Sequence, residues 1–157
     1  MDNTMKKRWI SIYVENETGV LARISGLFSG KSYNIDTLTV GVTEDLTMSR
    51  MTIGVTSDDK TFEQIKKQLN RSVEVVKVMD FTDLPIHMKE LMFVKVNSCT
   101  EKDKAEAFRI SQVYGVKIED YNKNTILFEC TMTEDKNNSL LKLLSETYGY
   151  RLEVVRG

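Results

Sequence analysis

Along RWISIYVE apolar and polar residues alternate, with Ile10, Ile12 and Val14 on one side and Ser11 and Tyr13 on the other, which predicts a half-buried strand. The period then changes: Val20, Leu21, Ile24, Leu27 and Phe28 follow helical spacing until the Gly30-Lys31-Ser32 cluster ends the run. Alternation returns in NIDTLTVGVT, where Leu38, Val40 and Val42 share a face, and in MSRMTIGVT, where Met51, Ile53 and Val55 do. The intervening EDLT suits a hairpin. Phe62, Ile65 and Leu69 mark a second helix, with Asp59 or Thr61 as its cap, and VEVVKVMDF supplies a fourth strand. The order is β-α-β-β-α-β.

Past Pro85, the chain's only proline, the same order repeats with little identity. KELMFVKVNS, VKIEDYN, TILFECTMT and YRLEVV read as strands, and EKDKAEAFRISQVYG and DKNNSLLKLLSETYG as helices. Ala107, Ile110 and Tyr114 give the third helix only a thin apolar stripe. Each half fits the ferredoxin-like split βαβ unit, so the expected class is α+β with two βαββαβ domains, residues 1–82 and 83–157. Such a sheet covers one face with helices. The other face, with Thr37, Thr39 and Thr52, or an edge strand is then expected to meet a second copy.

Composition removes several function classes. With 41% hydrophobic and 29% charged residues and a net charge of −1, the chain is globular and has no field favouring nucleic acid or anionic lipid. MDNTMKKRW has no apolar signal region and no run approaches a membrane span, so a cytoplasmic protein is expected. Cys99 and Cys130 form no CxxC and read as reduced, buried thiols; His87, the only histidine, has no metal partner nearby in sequence. No Gly-rich phosphate loop, HExxH, Cys-His pair or GxSxG occurs, so neither catalytic residues nor a metal site are assigned.

One stretch carries candidate chemistry: VENETGVLARISGLFSGKSYNI, residues 14–35. At a strand-to-helix turn the first backbone N–H groups, here from Gly19 through Val20 and Leu21, lack intrahelical partners and form the positive end of the helix dipole. They suit a carboxylate or phosphate. Gly19 leaves the backbone accessible, and the Asn16 carboxamide both donates and accepts, which together match a zwitterion. Asn34 offers a second carboxamide, from the same chain or from a neighbour. The alternative is a plain turn in which Asn16 or Thr18 caps the helix and Gly19 serves only the bend.

The run ENETGVLARISGLFSGKSYNIDTLTV, with TMSRMTIGV, EQIKKQLNRSVEVVKVMDF and KELMFVKV, closely resembles the small regulatory subunit family of acetolactate synthase, also called acetohydroxyacid synthase. The likeness is nearly continuous from Arg8 to Val96, and beyond that rests on the order of elements. It implies a non-catalytic subunit whose N-terminal ACT domain dimerises through a continuous sheet and binds valine or a related branched-chain amino acid between protomers. By position, Asn16, Gly19, Val20 and Leu21 would take the effector's charged groups, with Asn34 and Ile35 coming from the partner chain. The resemblance further implies a separate large catalytic subunit holding thiamine diphosphate, magnesium and FAD, which this chain activates and submits to feedback inhibition. Ser32 stands where the family usually has Gly, and the ending EVVRG looks like a clipped form of a longer tail. A stand-alone ACT-domain sensor for another enzyme, and a small ferredoxin-like enzyme, are the other readings.

Overall fold

A computed structural model describes residues 3–157, so the first two residues of the expected first domain lie outside the description. The chain divides into two compact units, one running through Ile86 and the other His87–Gly157. The first contains β1 (Lys6–Glu15), α1 (Val20–Ser29), β2 (Thr37–Val42), β3 (Met48–Ser57), α2 (Asp59–Arg71) and β4 (Val75–Asp80). Its strands pair antiparallel in the order β2-β3-β1-β4. The second contains β5 (Glu90–Val96), α3 (Glu101–Tyr114), β6 (Lys117–Tyr121), β7 (Ile126–Met132), α4 (Glu134–Tyr148) and β8 (Leu152–Arg156), in the sheet order β6-β7-β5-β8. Both are βαββαβ units, and the α+β class inferred from periodicity is the one observed.

In the first unit the alternating residues of β1 and β3 meet in register, Ile10 opposite Ile53 and Ile12 opposite Met51. Val20, Ile24 and Phe28 of α1 and Phe62, Ile65 and Leu69 of α2 close over them, and all ten are buried. Burying a side chain of this size stabilises by about 1.5–3 kcal/mol, so this layer dominates the unit's folding energy. The structure refines two of these patterns and corrects one cap. Leu21 is 47% exposed, since only every third or fourth position of α1 reaches the sheet. Leu38, Val40 and Val42 lie on the core side but are 40%, 43% and 55% exposed, because β2 is an edge strand that the helices leave uncovered. The α2 cap is Asp58, whose carboxylate accepts from the Thr61 backbone N–H at 2.7 Å.

The thin stripe of α3 has a physical explanation. Besides Ala107 and Ile110 it buries Lys104, whose ammonium lies 5.0 Å from the Tyr121 ring centre and 3.1 Å from Glu101, while Tyr114 is half-buried. The last strand starts at Leu152, later than expected, because Gly149–Arg151 form a 3-10 turn begun by Gly149 at φ 62°. The start of α3 is locked by Thr100 and Asp103, whose side chains each accept from the other's backbone N–H. Arg151 adds bonds from Nη1 to Asp103 (2.8 Å) and to the Ser98 carbonyl (3.0 Å). Cys99 and Cys130 are free, and burial pushes the Cys130 thiol up to about 11.

The uncovered face of the first sheet is built in rows: Trp9 lies beside Gly54, Ser11 beside Thr52, and Tyr13 beside Arg50. A Cβ on Gly54 would stand 2.8 Å from the Trp9 ring and 2.5 Å from Thr37 Oγ1, so only glycine admits this indole and the start of β2 together. Gly54→Ala is therefore expected to cost about 1–3 kcal/mol, read as a lowered urea midpoint with disturbed Trp9 fluorescence. In the second unit Arg151, then the Thr100 N–H, hold the Asp103 carboxyl well below the usual carboxylate range. A depressed native value gives stability that is complete above the ordinary carboxyl pKa of about 4 and is lost as pH falls through the native one. Asp103→Asn should lower stability at neutral pH and flatten its fall below about pH 4, measured by urea titration across pH.

Candidate functional site

The turn from β1 into α1 is held from the hairpin between β2 and β3. The Asn16 backbone N–H donates to the Thr47 carbonyl (2.8 Å) and its side-chain N–H to the Leu46 carbonyl (2.9 Å), while Asn16 Oδ1 accepts from Ser49 Oγ (3.1 Å). The hairpin is itself pinned by Asp45, which accepts from the Thr47 N–H (3.0 Å) and Oγ1 (2.6 Å). Both ends of the Asn16 carboxamide are thus engaged. One amide hydrogen and one lone pair are left over.

With Asn16 committed to the hairpin, no side chain caps α1, so the capping role open to Asn16 or Thr18 in the sequence is filled by neither. Gly19 precedes the helix in the left-handed region at φ 85°, which a side chain would strain. The Val20 N–H reaches the Glu17 carbonyl only at 3.4 Å. The other three α-helices carry side-chain caps, from Asp58, Thr100 and Thr133. Beside the bare start lies Arg23, whose Nη1 is 3.1 Å from where a Gly19 Cβ would stand and whose Nε pairs with Glu74 at 2.5 Å. Glu74 is held below its ordinary pKa by its own backbone N–H and by Arg23. Arg23 and Glu74 were not singled out from sequence, because Glu74 reaches the turn from beyond α2 and spacing does not show it.

Asn34 and Ile35 stand at the far end of α1, Asn34 exposed and Ile35 packed against the core. The next residue, Asp36, bonds through its N–H to the Gly54 carbonyl at 2.8 Å, while Asn16 bonds to Ser49 at the opposite end of β3. Five residues of strand span about 17 Å, and the ten-residue helix between the two asparagines about 15 Å. A residue extends only about 3.6 Å. One amino acid therefore cannot touch Asn16 and Asn34 of the same chain. Of the six expected site residues, Asn16, Gly19, Val20 and Leu21 form one cluster, and Asn34 and Ile35 a separate one.

Ser32, in the turn that presents Asn34, is left-handed at φ 59°. That is the backbone reason for glycine at this position, and a serine there carries steric strain of about 1–2 kcal/mol. Among the described residues no group of three or more His, Cys, Asp or Glu gathers as metal ligands, and no helix is long and apolar enough to cross a membrane.

This combination of a βαββαβ unit with an uncapped, glycine-led first helix defines an ACT-type domain. The family model described as AHAS small subunit-like ACT domain matches residues 10–77, and that for the small subunit of acetolactate synthase matches 89–157. The acetolactate synthase small subunit of Aquifex aeolicus is 42% identical over 140 residues, 89% of this chain and 73% of that one. A probable acetolactate synthase small subunit of Archaeoglobus fulgidus is 39% identical over 145 residues, 92% of this chain and 89% of that one. The crystal structure of the acetolactate synthase small subunit from Thermotoga maritima superposes with a TM-score of 0.79 at 31% identity, covering 97% of this chain and 96% of that one. The chain belongs to the acetolactate synthase small-subunit family.

Restoring the glycine tests the strained turn. Ser32→Gly is expected to raise stability by about 1 kcal/mol, the relief of left-handed strain exceeding the added freedom of the unfolded chain. A rise in the thermal midpoint, with the far-UV spectrum unchanged, is the readout.

Proposed function

We propose that the chain is the non-catalytic regulatory subunit of an acetolactate synthase in branched-chain amino acid synthesis. It activates a thiamine-diphosphate-dependent large subunit that also holds magnesium and FAD, and it relays feedback inhibition by valine or a close relative. The observation that carries the reading is the bare start of α1 at Gly19, the one α-helix start among the described residues without a side-chain cap. Backbone N–H groups of Val20 and Leu21 take the effector carboxylate there, beside the Arg23 guanidinium that Glu74 holds in place. The remaining hydrogen and lone pair of Asn16 meet the ligand's polar groups.

The second half of the site comes from another copy. β2 is an unpaired edge with Leu38, Val40 and Val42 exposed beside it, the surface an antiparallel strand addition would cover. In such a pairing the start of one β2 lies beside the end of the other. Asn34 and Ile35 of one protomer then approach the hairpin that the other's Asn16 holds, closing the gap that a single chain cannot bridge. Micromolar binding needs about −8 kcal/mol, or about −1 per heavy atom of valine, which is within reach for a well-formed small site. One methylene is worth only about 1–3 kcal/mol, so valine, leucine and isoleucine are separated by measurement. The stand-alone sensor is disfavoured because the second unit also matches the small-subunit family.

An effector bridging two protomers inhibits only through its differential affinity for one dimer arrangement over the activating one. Reconstitution with the large subunit should show acetolactate output raised by this chain and lowered again by valine. Asn34→Ala is the clean variant, expected to remove inhibition and keep activation. Asn16→Ala should do the same at a further cost of about 1 kcal/mol in stability, since it also loses the hairpin bonds. A parallel loss of activation and inhibition in folded Asn34→Ala protein would refute the division of roles.

A further inference from the structure

The uncovered face of the first sheet carries chemistry that the effector site does not use. Tyr13 on the central strand is flanked in register by Arg50 on β3 and Lys77 on β4, both exposed, so two cations and an aromatic ring form one row across the sheet. Arg50 is fixed there: its Nε donates to Ser11 Oγ at 2.8 Å, and its guanidinium lies 5.7 Å from the ring centres of both Tyr13 and Phe81. That bond uses one of five guanidinium hydrogens. The next row, Thr39, Thr52 and Ser11, is short, and beyond it the Trp9 indole lies across Gly54. A groove of about 390 Å³ follows the short row, lined by Tyr13, Thr39, Gly41, Arg50 and Thr52, with Glu44 its one carboxylate.

The open face of the second sheet is different in kind. There Lys117 pairs with both Glu119 and Glu129, so its cation is matched on the face itself. Among the described residues no carboxylate pairs with Arg50 or Lys77. Tyr13 and Arg50 line the groove, and half-buried Trp9 and Phe81 lie on the same face beyond it, a mix of aromatic residues and arginine of the kind that dominates protein-binding energy.

We infer that this face of the first unit docks an acidic segment, bearing an apolar or aromatic side chain, of the catalytic large subunit. Charge selects the occupant. A second copy packed face to face would set one Arg50–Lys77 row against another, which is repulsive, whereas a carboxylate-bearing segment meets both cations and places its apolar side chain in the groove. Position agrees, because the groove runs out to β2, so pairing of two protomers along that edge aligns two grooves on one surface, away from the helix-covered side. The inference rests on the regulatory-subunit reading and adds the surface through which it acts.

The test uses the full chain and its cognate large subunit. Arg50→Glu and Lys77→Glu are compared with wild type and with Lys142→Glu, an exposed lysine of α4 in the second unit. Association is measured by calorimetry at two salt concentrations, alongside activation of acetolactate formation and valine binding to the isolated small subunit. Expected is a loss of roughly tenfold or more in affinity for the large subunit for each reversal, with a weaker salt dependence, unchanged valine binding and no effect of Lys142→Glu. Wild-type affinity in the folded reversal variants overturns the docking face while leaving the regulatory reading intact. A changed self-association of the variants, seen by light scattering without the large subunit, assigns the face to a second copy and also overturns it. If wild type itself fails to associate with the large subunit, the regulatory reading falls and takes this inference with it.

Discussion

The first unit turns on a single side chain committed to a neighbour other than its own helix. The Asn16 carboxamide donates to the Leu46 carbonyl and accepts from Ser49, tying the β1–α1 turn to the hairpin. The residue at the cap position of the following helix is Gly19, which has no side chain to satisfy the orphan N–H groups. Here the helix is entered through left-handed Gly19 with no cap, and the positive end of the dipole stays open. The unmet polar groups lie at an exposed turn. Something else must meet them, water in the free chain or an anion when one is present.

The second unit shows what the same topology does when the demand is met internally. At the equivalent turn, Thr100 and Asp103 satisfy each other's backbone N–H groups, and Arg151 neutralises Asp103 while bonding the Ser98 carbonyl. Nothing is left for a ligand there. Two units that share strand order and helix placement therefore differ at one turn, and the difference is between a closed network and an open one. The open turn in the first unit leaves N–H groups accessible to water or to an anion.

Most of the fold was legible because period tracks burial. Ile10, Ile12 and Val14 alternate, Ile24 and Phe28 recur at helical spacing, and both patterns are faces of one core. What was illegible depends on who else is present. Leu38, Val40 and Val42 alternate as well as any buried strand, yet they are exposed, since alternation reports a face and not whether it is covered. Leu21 is exposed and Lys104 buried for another reason, the fit of one helix on one sheet. The candidate site was half legible: Gly19 and the bare N–H groups follow from residue type, whereas the Arg23–Glu74 pair at the same turn spans too much sequence for spacing to show. Ser32 reads in the sequence as a departure from a family glycine, and the structure adds that its backbone is left-handed, a conformation glycine adopts without strain.

Regulation by such a chain needs the effector and the catalytic partner to compete for one arrangement without touching the same atoms. On the reading proposed above, the first unit separates the surfaces: a helix start for the small molecule, an edge strand for a second copy, and the cation-bearing face for a larger partner. They remain mechanically joined through β3, because Ser49 bonds Asn16 at the effector end, Arg50 next to it stands on the open face, and Met51 next again is in the core. A sheet alternates its sides with a period of two, so these adjacent residues of one strand serve opposite faces. Because coupling is reciprocal in binding free energy, a partner whose affinity the effector changes must alter effector affinity by the same factor.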